Sequence, residues 1–192
     1  MSKLRLSPVA LGVAAAVFIL ADWGYRLAGD SFFPGGLLDE IAHALTTLIV
    51  LWALGPRVCR RFLIPALVAS VAIDLDHIPG ELGYYFLTRG TPRPYTHSLL
   101  TIVVVLFVAA VWRRRRDLWV GVAIGLAIHL WRDMAESNTG VALLWPFSYH
   151  AYALPHSRYL VVMAGFVAVC AIRCLHRRSV GTREPLPDGI VR

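Results

Sequence analysis

Four short stretches of the chain, Asp39-x-x-x-His43, Asp74-Leu75-Asp76-His77, Thr96-His97-Ser98 and His129-x-x-x-Asp133, set imidazoles and carboxylates inside or at the ends of strongly apolar segments. Ionisable groups in such surroundings are costly unless something pairs with them, and a bound cation is the simplest partner. His129 and Asp133 are four residues apart, as are Asp39 and His43, so on a helix each pair shares one face, with side chains about 5–6 Å apart, and can grip a single ion. Asp74 and Asp76 flank Leu75 at the end of an apolar run, where the backbone can turn both carboxylates inward beside His77. Mixed nitrogen and oxygen donors suit zinc, or manganese or iron, better than calcium. A site with open positions would acidify a bound water and polarise an ester or phosphoester.

Taken singly, these residues have plainer uses. A lone histidine in a membrane helix is commonly a hydrogen-bonded helix contact, and Asp39 and Glu40 suit the positive end of a helix dipole. Asp22 reads as an interfacial residue, and Tyr84, Tyr85, Trp145 and Tyr149 fit an aromatic belt as well as they fit substrate contacts. The recurrence of the pattern in four places is what favours metal.

The elements that must position these residues follow from composition. At 57% hydrophobic and 16% charged, the 192 residues cannot cover a water-soluble surface in the usual way, so the expected solvent is a bilayer. Apolar runs measured against the roughly 20 residues that cross the hydrocarbon give six spans, near 6–28, 36–54, 62–78, 95–112, 118–134 and 159–175. Several are short, which suggests a thin, tilted or partly re-entrant bundle. The first run follows Lys3 and Arg5 and mimics a signal peptide, but lacks a convincing cleavage site, so it reads as an uncleaved span. Cys59, Cys170 and Cys174 have no CxxC spacing and read as small buried hydrophobes.

Orientation follows from the 19 basic residues. Alternate loops divide them fourteen to five, the richer side holding Arg57, Arg60, Arg61, the run Arg113 to Arg116 and both termini. The positive-inside rule then makes both termini cytoplasmic, and the arginine run fixes topology rather than binding nucleic acid, since no stacking aromatics interleave it. On that frame His43, Asp74 to His77, His97, His129 and Asp133 all fall in the extracytoplasmic half. The expected fold is an all-α polytopic membrane helix bundle of about six helices, residues 1–178, followed by a disordered cytoplasmic tail, 179–192.

The same residues carry a family resemblance. Asp39-x-x-x-His43, Asp74-x-Asp-His-x-Pro79, Arg93-x-x-Thr-His-Ser-Leu-Leu100, His129-x-x-x-Asp133 and Thr139-Gly-Val-x-Leu-Leu-Trp-Pro146 resemble the YdjM-type family of bacterial inner-membrane, metal-dependent hydrolases. The likeness runs from about Asp39 to Phe147. A more distant similarity is to the zinc-dependent phospholipase C and nuclease superfamily, whose helical sites use His, Asp, His and His-x-x-x-Asp in that order. This resemblance implies His43, Asp76 or Asp74, His97, His129 and Asp133 as ligands, with Asp133 able to bridge two ions. That superfamily's further histidines have only the loose counterparts His150 and His156, so one or two ions are expected rather than three. Where the family has Gly-His-Arg-Gly, this chain has Thr91-Pro92-Arg93-Pro94, which keeps the arginine and loses a histidine.

The expectation is therefore a membrane-bound hydrolase holding one or two zinc ions, or manganese or iron. It would act on a lipid or lipid-linked phosphoester, with membrane lipids as partners, no nucleic acid, and a site facing the periplasm or exterior of the inner membrane. Asp39, His43, Asp76, His77, His97, His129 and Asp133 are the expected metal residues. Asp74 and Arg93 are the expected catalytic ones, as general base and phosphate clamp, with the division between Asp74 and Asp76 left open. The alternatives are a transporter or ion pathway, and a scaffold with a structural metal.

Overall fold

The computed structural model describes residues 7–29, 32–136 and 139–181. Among them run α1 (Pro8–Ala28), α2 (Leu37–Leu54), α3 (Pro56–Ala72), the single-turn α4 (Ile78–Glu81), α5 (Leu99–Val111), α6 (Arg116–Glu136) and α7 (His156–Gly181). No strand occurs among the described residues; one isolated bridge joins Val141 to Tyr152. The all-α bundle read from the sequence is the fold.

Local chemistry sets the helix ends. Ser7 caps α1 by accepting the Ala10 N–H at 3.0 Å, with Pro8 in the first helical position. Gly55, at φ 111°, ends α2, and Pro56 immediately opens α3. That early start shifts α3 from the expected 62–78 to Pro56–Ala72. Its first turns carry Arg57, Arg60 and Arg61, which hid them from a hydropathy reading, and the helix tightens into a 3-10 segment, Ile73–His77, that carries Asp74 and Asp76.

Four helical stretches, Pro8–Ala28, Phe33–Leu54, Arg113–Glu136 and His156–His176, are long and apolar enough to cross a membrane. Of the six expected spans, the other two depart from full length in different ways. α3 is charged at one end, and α5 has only 13 residues, about 20 Å of helix against about 30 Å of hydrocarbon. α7 continues to Gly181, so 179–181 extend a helix rather than begin a tail. The expected disordered tail otherwise lies outside the described residues.

α2 sits at the centre, packed on α1, α3, α6 and α7. Ile49 and Val50 of α2 join Phe18, Ile128, Tyr159 and Met163 in one apolar cluster. Toward the Gly55 end, Leu11, Ala53 and Cys170 form a second and Leu51, Cys59 and Ala66 a third. All three cysteines are buried and none forms a disulfide among the described residues.

The crossing of α3 and α6 decides where the polar residues meet. A Cβ on Gly121 would strike the Pro65 ring, and one on Gly125 would overlap the Ala66 backbone, so the two backbones touch as they do at small-residue crossings in membranes. One turn beyond Ala66 is Ser70, and one turn beyond Gly125 is His129. Contacts that advance together along both helices make α3 and α6 parallel, as two crossings in the same direction require. At the same end, the turn before α5 is held by Leu99 donating to the Leu143 carbonyl at 2.9 Å and by Tyr95 stacked on Trp145 at 4.4 Å. Gly140, at φ 71° with the Tyr152 carbonyl against it, admits no side chain.

Candidate metal centre

His129 is oriented from behind. Its Nδ1 lies 2.8 Å from the Ser70 carbonyl, which can only accept, so Nδ1 carries the hydrogen and Nε2 presents a lone pair. That Nε2 is 3.1 Å from His97 Nε2, 3.2 Å from Asp133 Oδ2 and 3.4 Å from Asp74 Oδ1. His97 Nε2 is in turn 3.1 Å from Asp74 Oδ1 and 3.5 Å from Asp133 Oδ2. Four donors about 2.0–2.1 Å from a tetrahedral zinc stand about 3.3–3.4 Å apart. Five of the six separations among these four atoms bracket that spacing, which suits them to such an ion.

A second group adjoins the first. His43 of α2, whose ring stacks on that of His129 at 3.9 Å, places Nε2 3.3 Å from Asp133 Oδ1, 3.6 Å from Glu136 Oε2 and 3.6 Å from Asp39 Oδ1. Asp133 therefore turns one oxygen to each group, the arrangement of a carboxylate bridging two ions. His43, His97, His129 and Asp133 are all buried. Both nitrogens of His43, both oxygens of Asp133 and Glu136 Oε2 lack a hydrogen bond. A proton on His97 Nε2 would satisfy the contact to His129 and leave those five atoms unmet.

Two guanidiniums frame the acids. Arg132, fully buried, reaches Asp39 at 2.7 Å, Asp22 of α1 at 3.5 Å and Glu136 at 3.8 Å. Arg93, in the loop before α5, reaches Glu136 at 3.0 Å and Asp133 at 3.5 Å. Burial works against the charged form of Arg93, but Asp133 and Glu136 outweigh it and hold its proton more firmly than usual. Asp22, Asp39, Asp74, Asp133 and Glu136 together face these two cations, an excess of three negative charges among these residues that bound divalent ions would offset.

A model of the YdjM inner membrane protein family matches residues 38–185, most of the chain. The chain belongs to that family. Neither a curated protein nor a solved structure matches it. In this YdjM family member every donor facing His43, His97 and His129 lies within the matched region, whereas Asp22 precedes it.

The structure brings together all the residues singled out in the sequence, in different positions. Asp74 sits between His97 and His129, as given above. Asp76 stands behind, accepting from the Thr96 hydroxyl and lying 3.4 Å from His97 Nδ1. His77, 37% exposed, is at the edge, 3.6 Å from Asp74 and 3.9 Å from Asp76. Arg93 has both terminal nitrogens on carboxylates. Asp74, Asp76, His77 and His97 also form a cluster able to hold an ion, as do His43, His129 and Asp133, and Asp39, His43 and Glu136.

Four participants were not chosen from the sequence: Arg132, Glu136, Asp22 and His156. Glu136 lies three residues past Asp133 on the same stripe, so its spacing was the available signal. Asp22 and His156 pair at 3.0 Å, and His156 also lies 3.2 Å from the Ala135 carbonyl. Nothing local marks that pair, because it depends on α1 and α7 converging on α6.

Proposed function

We propose that this YdjM family member is a metal-dependent hydrolase that cleaves a phosphoester in a lipid or lipid-linked substrate at the extracytoplasmic face of the inner membrane. The observation carrying this reading is the approach of His97 and His129 Nε2 to 3.1 Å, with the His129 lone pair committed to a point shared with Asp74 and Asp133. A bound zinc, manganese or iron ion would supply Lewis acidity and acidify a water toward neutral pH.

The chain's own residues supply the rest. Asp74, rather than Asp76, is the carboxylate close to Nε2 of both His97 and His129, and Asp76, 3.4 Å from His97 Nδ1 on the far side of the ring, would orient that imidazole by a small further approach. His77, partly exposed beside Asp74, is placed to take a proton at Nε2. Arg93 positions Asp133 and Glu136; contact with a substrate phosphate would require it to exchange one of them. Orientation rests on the basic loops: the centre lies at the end of α3 and α6 opposite Arg57 to Arg61 and Arg113 to Arg116, which supports an outward-facing site. At the basic end, Leu11, Leu51, Ala53, Cys59 and Cys170 fill the bundle with apolar side chains, which favours a hydrolase over an ion pathway.

Metal content and lipid phosphoesterase turnover of the purified His129→Ala and Asp133→Ala proteins test this. Loss of both is expected. Retention of both rejects the reading.

A further inference from the structure

Beside the metal centre lies a cavity of about 380 Å³, walled by Asp76, His77, Glu81, Tyr84, Tyr85 and Thr91 among others. Its outer wall is the segment from Leu75 to Leu87, and that wall is unusual for a loop. Leu75, Leu82, Tyr85 and Phe86 are 63%, 69%, 66% and 57% exposed, and Ile78 and Tyr84 extend the same apolar surface. A contiguous patch of that kind facing water marks an interaction site.

Two further observations say what covers it. The first is depth. α5 begins beside His97 and ends at Trp112, next to the arginine run. Anchored there at one face of the membrane, its roughly 20 Å of helix leaves about 10 Å of hydrocarbon above its other end. The wall beside His97 therefore lies at the level of lipid, not above it.

The second is the backbone. Non-helical chain survives at membrane depth only where its polar groups are met internally. Here Leu82 donates to Ile78, Gly83 to Gly80, Tyr84 to Pro79, Thr88 to Tyr85, Thr91 to Thr88 and Tyr95 to Leu87, at 2.7 to 3.3 Å. The hydroxyls of Thr91 and Tyr95 donate to the carbonyls of Arg93 and Arg89, both at 2.8 Å. Much of the segment's backbone is thus paired internally, and apart from Glu81 the large side chains it turns outward are apolar.

We infer that Leu75–Leu87 is a re-entrant segment seated in the lipid leaflet on the site's side, and that the cavity opens sideways into that leaflet, so that its occupant is a bilayer lipid delivered from within the membrane. The inference rests on helix length, hydrogen bonding and exposure, and stands whether or not the centre hydrolyses anything.

Nitroxide labels on Leu82→Cys and Phe86→Cys, with the full chain reconstituted in vesicles, test it. The three native cysteines are buried and react poorly beside an exposed one. Phe107→Cys on α5 serves as the lipid reference and Arg114→Cys as the aqueous one. Collision rates with dissolved oxygen and with a water-soluble nickel chelate are measured at each. The expected result is that both loop labels favour oxygen over the chelate, as Phe107→Cys does. Loop labels that meet the chelate as readily as Arg114→Cys overturn the inference. So does spin–spin broadening between labels on two chains, which would mean that a second copy covers the patch. Should either variant fail to fold, the other decides.

Discussion

Gly125→Ala probes the link between helix packing and the metal centre without touching a ligand. A Cβ at this position would overlap the Ala66 carbonyl oxygen and lie 2.9 Å from Ala66 Cα, where ordinary contact begins at 3.4 Å, so α6 and α3 must part by at least about 0.5 Å. The obstacle is backbone, which has no rotamer to yield. The Ser70 carbonyl and His129 Nδ1, 2.8 Å apart one turn on, would then separate to about 3.3 Å or beyond, past good hydrogen-bond length. His129 would lose the contact that fixes its tautomer and aim, and losses of this kind weaken metal affinity about 10- to 100-fold. Overpacking adds about 1–3 kcal/mol of destabilisation, against a gain of about 0.5–1 kcal/mol from replacing glycine in a helix. Gly165→Ala on α7, where an added Cβ meets nothing within 4 Å, is the control. The assay is competitive metal titration on protein whose helicity is checked by circular dichroism. Unchanged affinity in a folded Gly125→Ala protein would refute the coupling between crossing and centre.

Other expectations follow from the same geometry. Asp133→Asn removes the carboxylate that faces both groups, and metal content should fall for both ions together, with apparent affinity reduced more than 100-fold; loss of one ion alone would show that Asp133 does not bridge. Arg132→Leu leaves the buried Asp22 with His156 alone and the half-buried Asp39 without its guanidinium, which should cost about 3–5 kcal/mol, read as a lowered unfolding temperature; Asp39→Asn in the same chain should restore part of it. Metal retention should decline as pH falls below the imidazole range of about 6.5, because His43, His97 and His129 bind an ion only when deprotonated. Equilibrium dialysis against pH reads this, and a flat profile would argue against histidine ligation.

The i, i+4 pairs were legible because one helix fixes their geometry whatever the rest of the chain does. Their gathering at the end of the bundle opposite Arg57 to Arg61 and Arg113 to Arg116 was legible too, since the charges of those loops are independent of the ligands. Asp74 and Asp76 were less so: which of them faces His97 and His129 depends on the tightening of Ile73–His77 from α-helix into 3-10, a change no spacing rule specifies. Six hydropathic runs correspond to six helices, of which α5 is short, yet the start of α3 was missed because Arg57, Arg60 and Arg61 lowered its hydropathy while Gly55-Pro56 marked the boundary. Glu136 was adjacent to a recognised motif and its neutralising arginine, Arg93, was in hand; their pairing at 3.0 Å is tertiary. The Gly121-x-x-x-Gly125 spacing was visible in the sequence, but its consequence, the alignment of Ser70 with His129, requires knowing which helix it meets.

The most direct measurement is an anomalous-scattering map of the purified protein, which counts bound ions and identifies them by element. The account predicts a transition-metal peak among His97, His129, Asp74 and Asp133, and a second among His43, Asp39, Glu136 and the other oxygen of Asp133. A well-ordered bundle in which those residues meet one another directly, with no peak at either position after incubation with zinc, manganese and iron, would contradict it.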